Sequence, residues 1–234
     1  MNYTIKIPNF TQHGFSKSLL SLVIFAGLGC SPKLVILQQK PEWAKGGYNY
    51  YVGRIEHKLS KSKNDPVLFQ QGCQALTQYT FGFLMEEADR IIMTDYLGGK
   101  KIFMEANLHF GRAVNYGNKS LSLKFDQYDN WISNQSDQIP NFTEADIPYL
   151  FWTAAAYGGA ISSSRGNPEW VIKLPRVGYL LEAAIKINSE WNKGALYTAM
   201  ISYTMSRHDA PENKVEIARS YFDKAVKSSD GLDL

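Results

Sequence analysis

Only two of the 234 residues are cysteine, Cys30 and Cys73, so no disulfide framework can hold this fold together. An excess of one charge is missing too: 25 Lys and Arg stand against 22 Asp and Glu. Residues 1–29 carry only Lys6 and Lys17, and without them 23 basic residues face 22 acidic ones. No basic field is left to hold nucleic acid. The four histidines, His13, His57, His109 and His208, are scattered. None is paired with Asp, Glu, Cys or another His at metal-ligand spacing on a helix, so no metal is expected.

Recognisable catalytic patterns are absent as well. Ser162-Ser163-Ser164-Arg165-Gly166 has the residue types of a nucleophile elbow but not its Gly-x-Ser-x-Gly order. Gly98-Gly99-Lys100-Lys101 lacks the spaced glycine and the terminal Gly-Lys-Ser/Thr of a phosphate loop, and reads as a helix junction. Glu86, Glu87 and Asp89 read as a solvated helix end. Neither an enzyme nor a cofactor is expected. Runs of alternating β-branched residues are also lacking, which excludes an extensive sheet and leaves an all-α chain.

What is present begins with a leader. Lys6, His13 and Lys17 make a basic front without an acidic residue, and the stretch 19–28 is apolar. That run of about ten residues is half of what a bilayer-spanning helix needs. It ends at Gly27-Leu28-Gly29-Cys30, which resembles a lipoprotein cleavage box, although an aliphatic residue is usual in place of Gly27. Residues 1–29 are therefore read as a lipoprotein signal peptide, Cys30 as the lipid attachment site, and 30–45 as a tether. A secretory signal cut elsewhere and an uncleaved anchor are the alternatives. More than one acyl chain is needed for lasting attachment, each buried CH₂ contributing about 0.8 kcal/mol, and a diacylated, N-acylated Cys30 meets that condition. Cys73, inside an apolar helical stretch, is then alone and reads as a small core hydrophobe.

From 46 onward the pattern is helical. Tyr48, Tyr50, Tyr51, Val52 and Ile55 mark an amphipathic helix. Asp65-Pro66 opens a long one to about 89, with Phe69, Cys73, Leu76, Thr80 and Phe83 on one face and Tyr79 beside it, Asp as cap and Pro at the first position. Gly98-Gly99 breaks the chain, and the next helix runs over about 100–123. A short helix is expected around Trp131. The stretch 147–163 carries no charge and is crowded with small residues, Ala154 to Ala156, Gly158 to Ala160. A helix so apolar all round is buried on most sides. Asp146 is expected to cap it, with Pro148 in its first turn. Helices over 192–207, with Leu196, Ala199, Met200 and Tyr203 inward, and over 212–228 close the chain.

Three second-helix patterns recur: Ala106, Phe110, Ala113; Val177, Leu181, Ala184; and Ala218, Phe222, Ala225. The 71 residues from Ala113 to Ala184 fit two degenerate units of a tetratricopeptide repeat, whose period is about 34. The 41 from Ala184 to Ala225 imply an insertion near His208-Asp209-Ala210-Pro211. The fold class is thus all-α, a degenerate tetratricopeptide-like helical-repeat array of antiparallel helix pairs over 46–234.

The segments DPVLFQQGCQALTQYTFGFLMEEAD, GKKIFMEANLHFGRAVNYG, DIPYLFWTAAAYGGAI and ARSYFDKAVKSSDGLDL resemble the TatT component family of TRAP-type transport systems. Tyr149-x-x-Trp152-Thr153 with Gly158-Gly159 two turns on is the most specific part. The resemblance implies a periplasmic, lipid-anchored, membrane-tethered helical-repeat protein, a homotrimer, and a TRAP-type periplasmic solute-binding protein as its partner. Family members continue with further helices where this chain stops, at Leu234, a departure that opens the question of a C-terminal truncation.

Aromatics cluster on the two most apolar helices: Tyr149, Trp152, Tyr157, Tyr79, Phe81 and Phe83. They read either as ordinary core or as the lining of an apolar groove for a hydrophobic small-molecule ligand. The resemblance, which implies solute handling, favours the groove, with Tyr149, Trp152 and Tyr157 as ligand-path candidates. The function expected is a non-catalytic accessory component that docks the binding protein and holds or passes an apolar or organic-acid solute. The alternative is a scaffold lipoprotein for envelope assembly without a small ligand. For the anchor, metabolic fatty-acid labelling is expected to mark the wild-type chain and not Cys30→Ser; label on the Ser variant removes the assignment.

Overall fold

Helix-spaced apolar residues without a strand pattern must bury their faces helix on helix. The computed structural model describes residues 41–207 and 209–229. The leader, Cys30 and His208 lie outside the described residues. Residues up to Gly46 form one contact unit, described only as the start of helix α1, Pro41–Lys61, inside the stretch read as tether. The second unit begins at Gly47 and holds everything that follows.

Within it, α1 buries Val52, Ile55 and Leu59, while Tyr48, Tyr50 and Tyr51 stay exposed. The apolar face thus lies one helix stripe away from the tyrosines. Glu56 of α1 accepts hydrogen bonds from Arg112 (2.8 Å) and Tyr116 (3.1 Å). Helix α2, Pro66–Tyr79, starts as expected, with Asp65 accepting from the Leu68 N–H at 3.0 Å. It then widens into a π-helical segment, Thr80–Met85, before α3, Glu86–Ile91. Helix α4, Tyr96–Lys124, corrects the expected break at Gly98-Gly99. Asp95 accepts from the Gly98 N–H at 2.9 Å, so the cap lies ahead of the glycines and they form the first turn.

The remaining helices are α5, Tyr128–Ile132; α6, Ile147–Ser163; α7, Pro168–Val171; α8, Leu174–Ile187; α9, Trp191–Ser206; and α10, Lys214–Ser228. No strand occurs among the described residues. Asp146 does not cap α6 with its side chain. One usual recipient is missing, because Pro148 has no N–H. The carboxylate turns back to Thr143, taking its N–H at 2.9 Å and its hydroxyl at 2.8 Å, and pairs with Lys124. Burial alone pushes this carboxyl up, but the Lys124 and Thr143 bonds outweigh it and hold it below its ordinary value.

Helix α4 is the centre. It packs against α2 and against α6; α8 packs on α6, α9 on α8 and α10 on α9. Ala106, Phe110 and Ala113 are fully buried, and Val177, Leu181 and Ala184 nearly so. The third pattern holds only in part. Ala218 and Ala225 are buried, but Phe222 is 49% exposed, because α10 has α9 as its main neighbour and little else beside it.

The two glycines of α6 have opposite surroundings. A Cβ on Gly159 would strike the Phe110 ring, whereas one on Gly158 would meet nothing within 4 Å. Gly159→Leu is expected to destabilise the protein by roughly 1–3 kcal/mol through overpacking. Gly158→Ala is expected to stabilise it by about 0.5–1 kcal/mol by relieving a glycine inside a helix. Melting curves of the two variants, moving in opposite directions from wild type, check this placement.

Candidate functional site

Helices α6 and α9 scarcely touch, while α8 packs against both. The gap between them is a cleft of about 460 Å³. One wall is the α6 stripe Phe151, Ala154, Ala155, Gly158, Ile161 and Ser162, residues recurring at three-and-four spacing. The other is Ala199, Ser202, Tyr203 and Ser206 of α9. Leu174, Val177 and Leu181 of α8 form the floor, and Phe81 reaches in from the π segment of α2.

No lining residue carries a full charge. The polar groups are three serine hydroxyls and the Tyr203 phenol, whose pKa burial raises above its ordinary value. Such a surface favours an apolar occupant with few directed contacts. Two more cavities continue the cleft along α9. One shares Phe151, Ala199 and Ser202 with it and adds Asn192, Lys193 and Thr198. The other shares Leu174 and Tyr203 and adds Glu182, Arg207 and Asp209. There Arg207 grips Asp209 through two bonds, of 2.9 and 2.7 Å. At the opposite end Asn192, Lys193 and Gly194 are successive left-handed residues, with φ of 49°, 55° and 83°. Such non-glycine residues cost roughly 1–2 kcal/mol apiece, so right-handed helix begins only after Gly194.

The three ligand-path candidates lie on other parts of α6. Tyr149 is half-buried under the Lys124 ammonium, 4.1 Å from its ring centroid. Trp152 is half-buried in edge contact with Phe151, 5.1 Å between centroids. Tyr157 is 1% exposed. Its phenolic oxygen accepts from Asn118 Nδ2 at 2.9 Å and from Arg176 at 3.1 Å, while Tyr128 donates to the Asn118 carbonyl oxygen at 2.7 Å. None of the three is among the residues lining the cleft or its two continuations. Trp152 backs the wall only through Phe151.

The residues missed by sequence reasoning are the small ones. Ala154, Ala155 and Gly158 read as places where helices approach, yet here they line the cleft wall, and a Cβ on Gly158 would meet nothing within 4 Å. The matching signal on α9 was its own run of small residues, Ala195, Thr198, Ala199, Ser202 and Ser206, at helical spacing. Cys73 is fully buried, and burial pushes its thiol up to about 12 against weaker opposing bonds from Thr77 and Thr153. Among the described residues no group of three His, Cys, Asp or Glu could hold a metal, and no helix is long and apolar enough to cross a membrane.

The family model for the TRAP transporter T-component matches residues 38–234. The chain belongs to this family. No curated protein matches it. Membership makes this T-component an accessory, membrane-associated part of a TRAP transport system, carried on an all-α helical array. The Asn118–Tyr157–Arg176 tie joins α4, α6 and α8. Tyr157→Phe strands two donors, one of them charged. A loss of roughly 1–3 kcal/mol is expected in denaturant unfolding, with little change for Tyr149→Phe.

Proposed function

We propose that this T-component docks a TRAP-type periplasmic solute-binding protein and holds or passes a hydrophobic solute or organic acid in the cleft between α6 and α9. In this reading the protein is a homotrimer on the periplasmic face of a bacterial membrane, tethered through lipidated Cys30. Its work is non-catalytic. The observation that carries the ligand part is the cleft itself. Two stacked helices would ordinarily close on small residues, because short side chains let backbones approach. Here α6 and α9 present small residues to each other and stay apart.

Gly158 sharpens the point. Glycine inside a helix is unfavourable, and no neighbouring atom requires it. Space for a ligand gives it a reason. Tyr149, Trp152 and Tyr157 act in this reading from behind the wall. Trp152 steadies Phe151, and Tyr157 fixes α6 against α4 and α8.

The test is a variant that fills the cleft without disturbing the fold. Gly158→Phe is expected to keep the wild-type melting temperature within a few degrees and to weaken binding of a fluorescent fatty acid by about tenfold or more. Titration with the solute-binding protein of the same transport system is expected to give a saturable complex. Undiminished probe binding by Gly158→Phe removes the cleft from the ligand reading. No probe binding by wild type beside intact docking leaves the scaffold reading in its place.

A further inference from the structure

Helix α1 has a second face besides the one it buries. At about 100° per residue, Val52, Ile55 and Leu59 fall within an arc of about 60° and are buried. Tyr50, Tyr51, Arg54, Lys58 and Lys61 fall within another arc of about 100°, and all five are exposed. Tyr50 and Tyr51 are 69% and 50% exposed. The Arg54 guanidinium lies over the Tyr50 ring, 6.0 Å from its centroid. Lys63, in the turn that follows α1, adds a fourth exposed cation.

Negative charge is kept away from this stripe. Glu56 is the one acidic residue from 47 to 64. It lies outside the arc and is bonded to Arg112 and Tyr116. Asp65, next in the chain, is occupied in capping α2. A face that merely keeps a protein in solution mixes charges of both signs. This one carries only positive ones.

The kind of partner follows from which side chains these are. Lysine is depleted at protein–protein interfaces, whose closely packed centres exclude charge. Anionic headgroups take lysine as a point charge, each cation near the surface strengthening binding about fivefold. Tyrosine suits the same boundary, because its ring enters the apolar side and its hydroxyl stays wet. Membership of a membrane-associated family puts such a surface within reach. We propose that the outer face of α1 docks on an anionic phospholipid surface, with Arg54, Lys58, Lys61 and Lys63 on the headgroups and Tyr50 and Tyr51 at the apolar boundary. No residue of α1 lines the cleft, and the contact does not depend on acylation of Cys30.

The test uses the full chain carrying Cys30→Ser, so that no acyl anchor contributes, with one reporter thiol added. Gly47→Cys sits in the middle of the exposed arc, where a Cβ would meet nothing within 4 Å. Val215→Cys on α10, where the side chain is 59% exposed, is the control. Cys73 is fully buried and does not compete for an environment-sensitive label. The label at 47 is expected to be quenched by brominated lipid in vesicles of phosphatidylcholine with phosphatidylglycerol, and not in phosphatidylcholine alone. The label at 215 is expected to be quenched in neither. Arg54→Gln, Lys58→Gln and Lys61→Gln together are expected to raise the lipid concentration for half-quenching about a hundredfold. High salt, which screens the stripe without altering the chain, is expected to act in the same direction. Melting temperatures, read in parallel, show whether each variant is folded; should the triple variant fail to fold, the salt dependence carries the comparison. Quenching at 47 that is equal on both vesicles, or unmoved by the triple variant and by salt, overturns the proposal. Absence of quenching at 47 overturns it too, and leaves the stripe to an acidic protein partner.

Discussion

The close approach of α4 to α6 is the contact on which the rest depends. Phe110 of α4 occupies the place where Gly159 of α6 has no side chain, and Gly117 of α4 leaves the matching space for Thr153. Neither pair admits a Cβ, so the two backbones are held at one distance and one register. Every other helix is placed from this pair. On one side α2 packs against α4, on the other α8 packs against α6, and α9 and α10 follow outward. A part-buried polar tie reinforces it, with Asn118 of α4 bonded to Tyr157 of α6 and Tyr157 to Arg176 of α8. Around the buried Tyr157 phenol such bonds count for more than on the surface, because the alternative is an unpaired polar group.

The cleft follows from this arrangement. Adjacent residues of α6 lie about 100° apart around its axis, so Gly159 faces α4 while Gly158 faces the gap. One short sequence supplies both a close helix contact and an open wall of the cleft. Helix α8 supplies the floor with Leu174, Val177 and Leu181 and keeps α9 at a distance. Phe81, from the π-helical segment that follows α2, adds the last lining residue. The proposed handling of an apolar solute rests on such a surface, uncharged and lined by few hydroxyls. Its two continuations, one toward Lys193 and one toward the Arg207–Asp209 pair, carry the polar groups instead.

Much of this was legible beforehand. The all-α class followed from helical spacing and the lack of strand runs. The residues Ala106, Phe110 and Ala113, and likewise Val177, Leu181 and Ala184, were recognisable as core because their spacing puts them on one helix face, and they are buried. The family was recognisable from the Tyr149-x-x-Trp152-Thr153 segment and its companions, and the family model agrees. Local chemistry misled where two neighbours compete for one group. Gly98-Gly99 looked like a break, but Asp95 caps ahead of them. Asp146 looked like a cap for α6, but Pro148 offers no N–H and Thr143 offers two donors.

What the sequence by itself determined was which residues are helical and which of them are apolar or small, since propensity and period are properties of neighbours in the chain. Only the tertiary structure decided which small residues are pressed against a neighbour and which face open space. Gly158 and Gly159 are identical in composition and adjacent in sequence; the difference between them is the presence of Phe110, 49 residues away in the chain. The same holds for Phe222, which has the spacing of a core residue and is half-exposed. Period says which way a side chain points along its own helix, and contact with distant chain says what, if anything, it meets there.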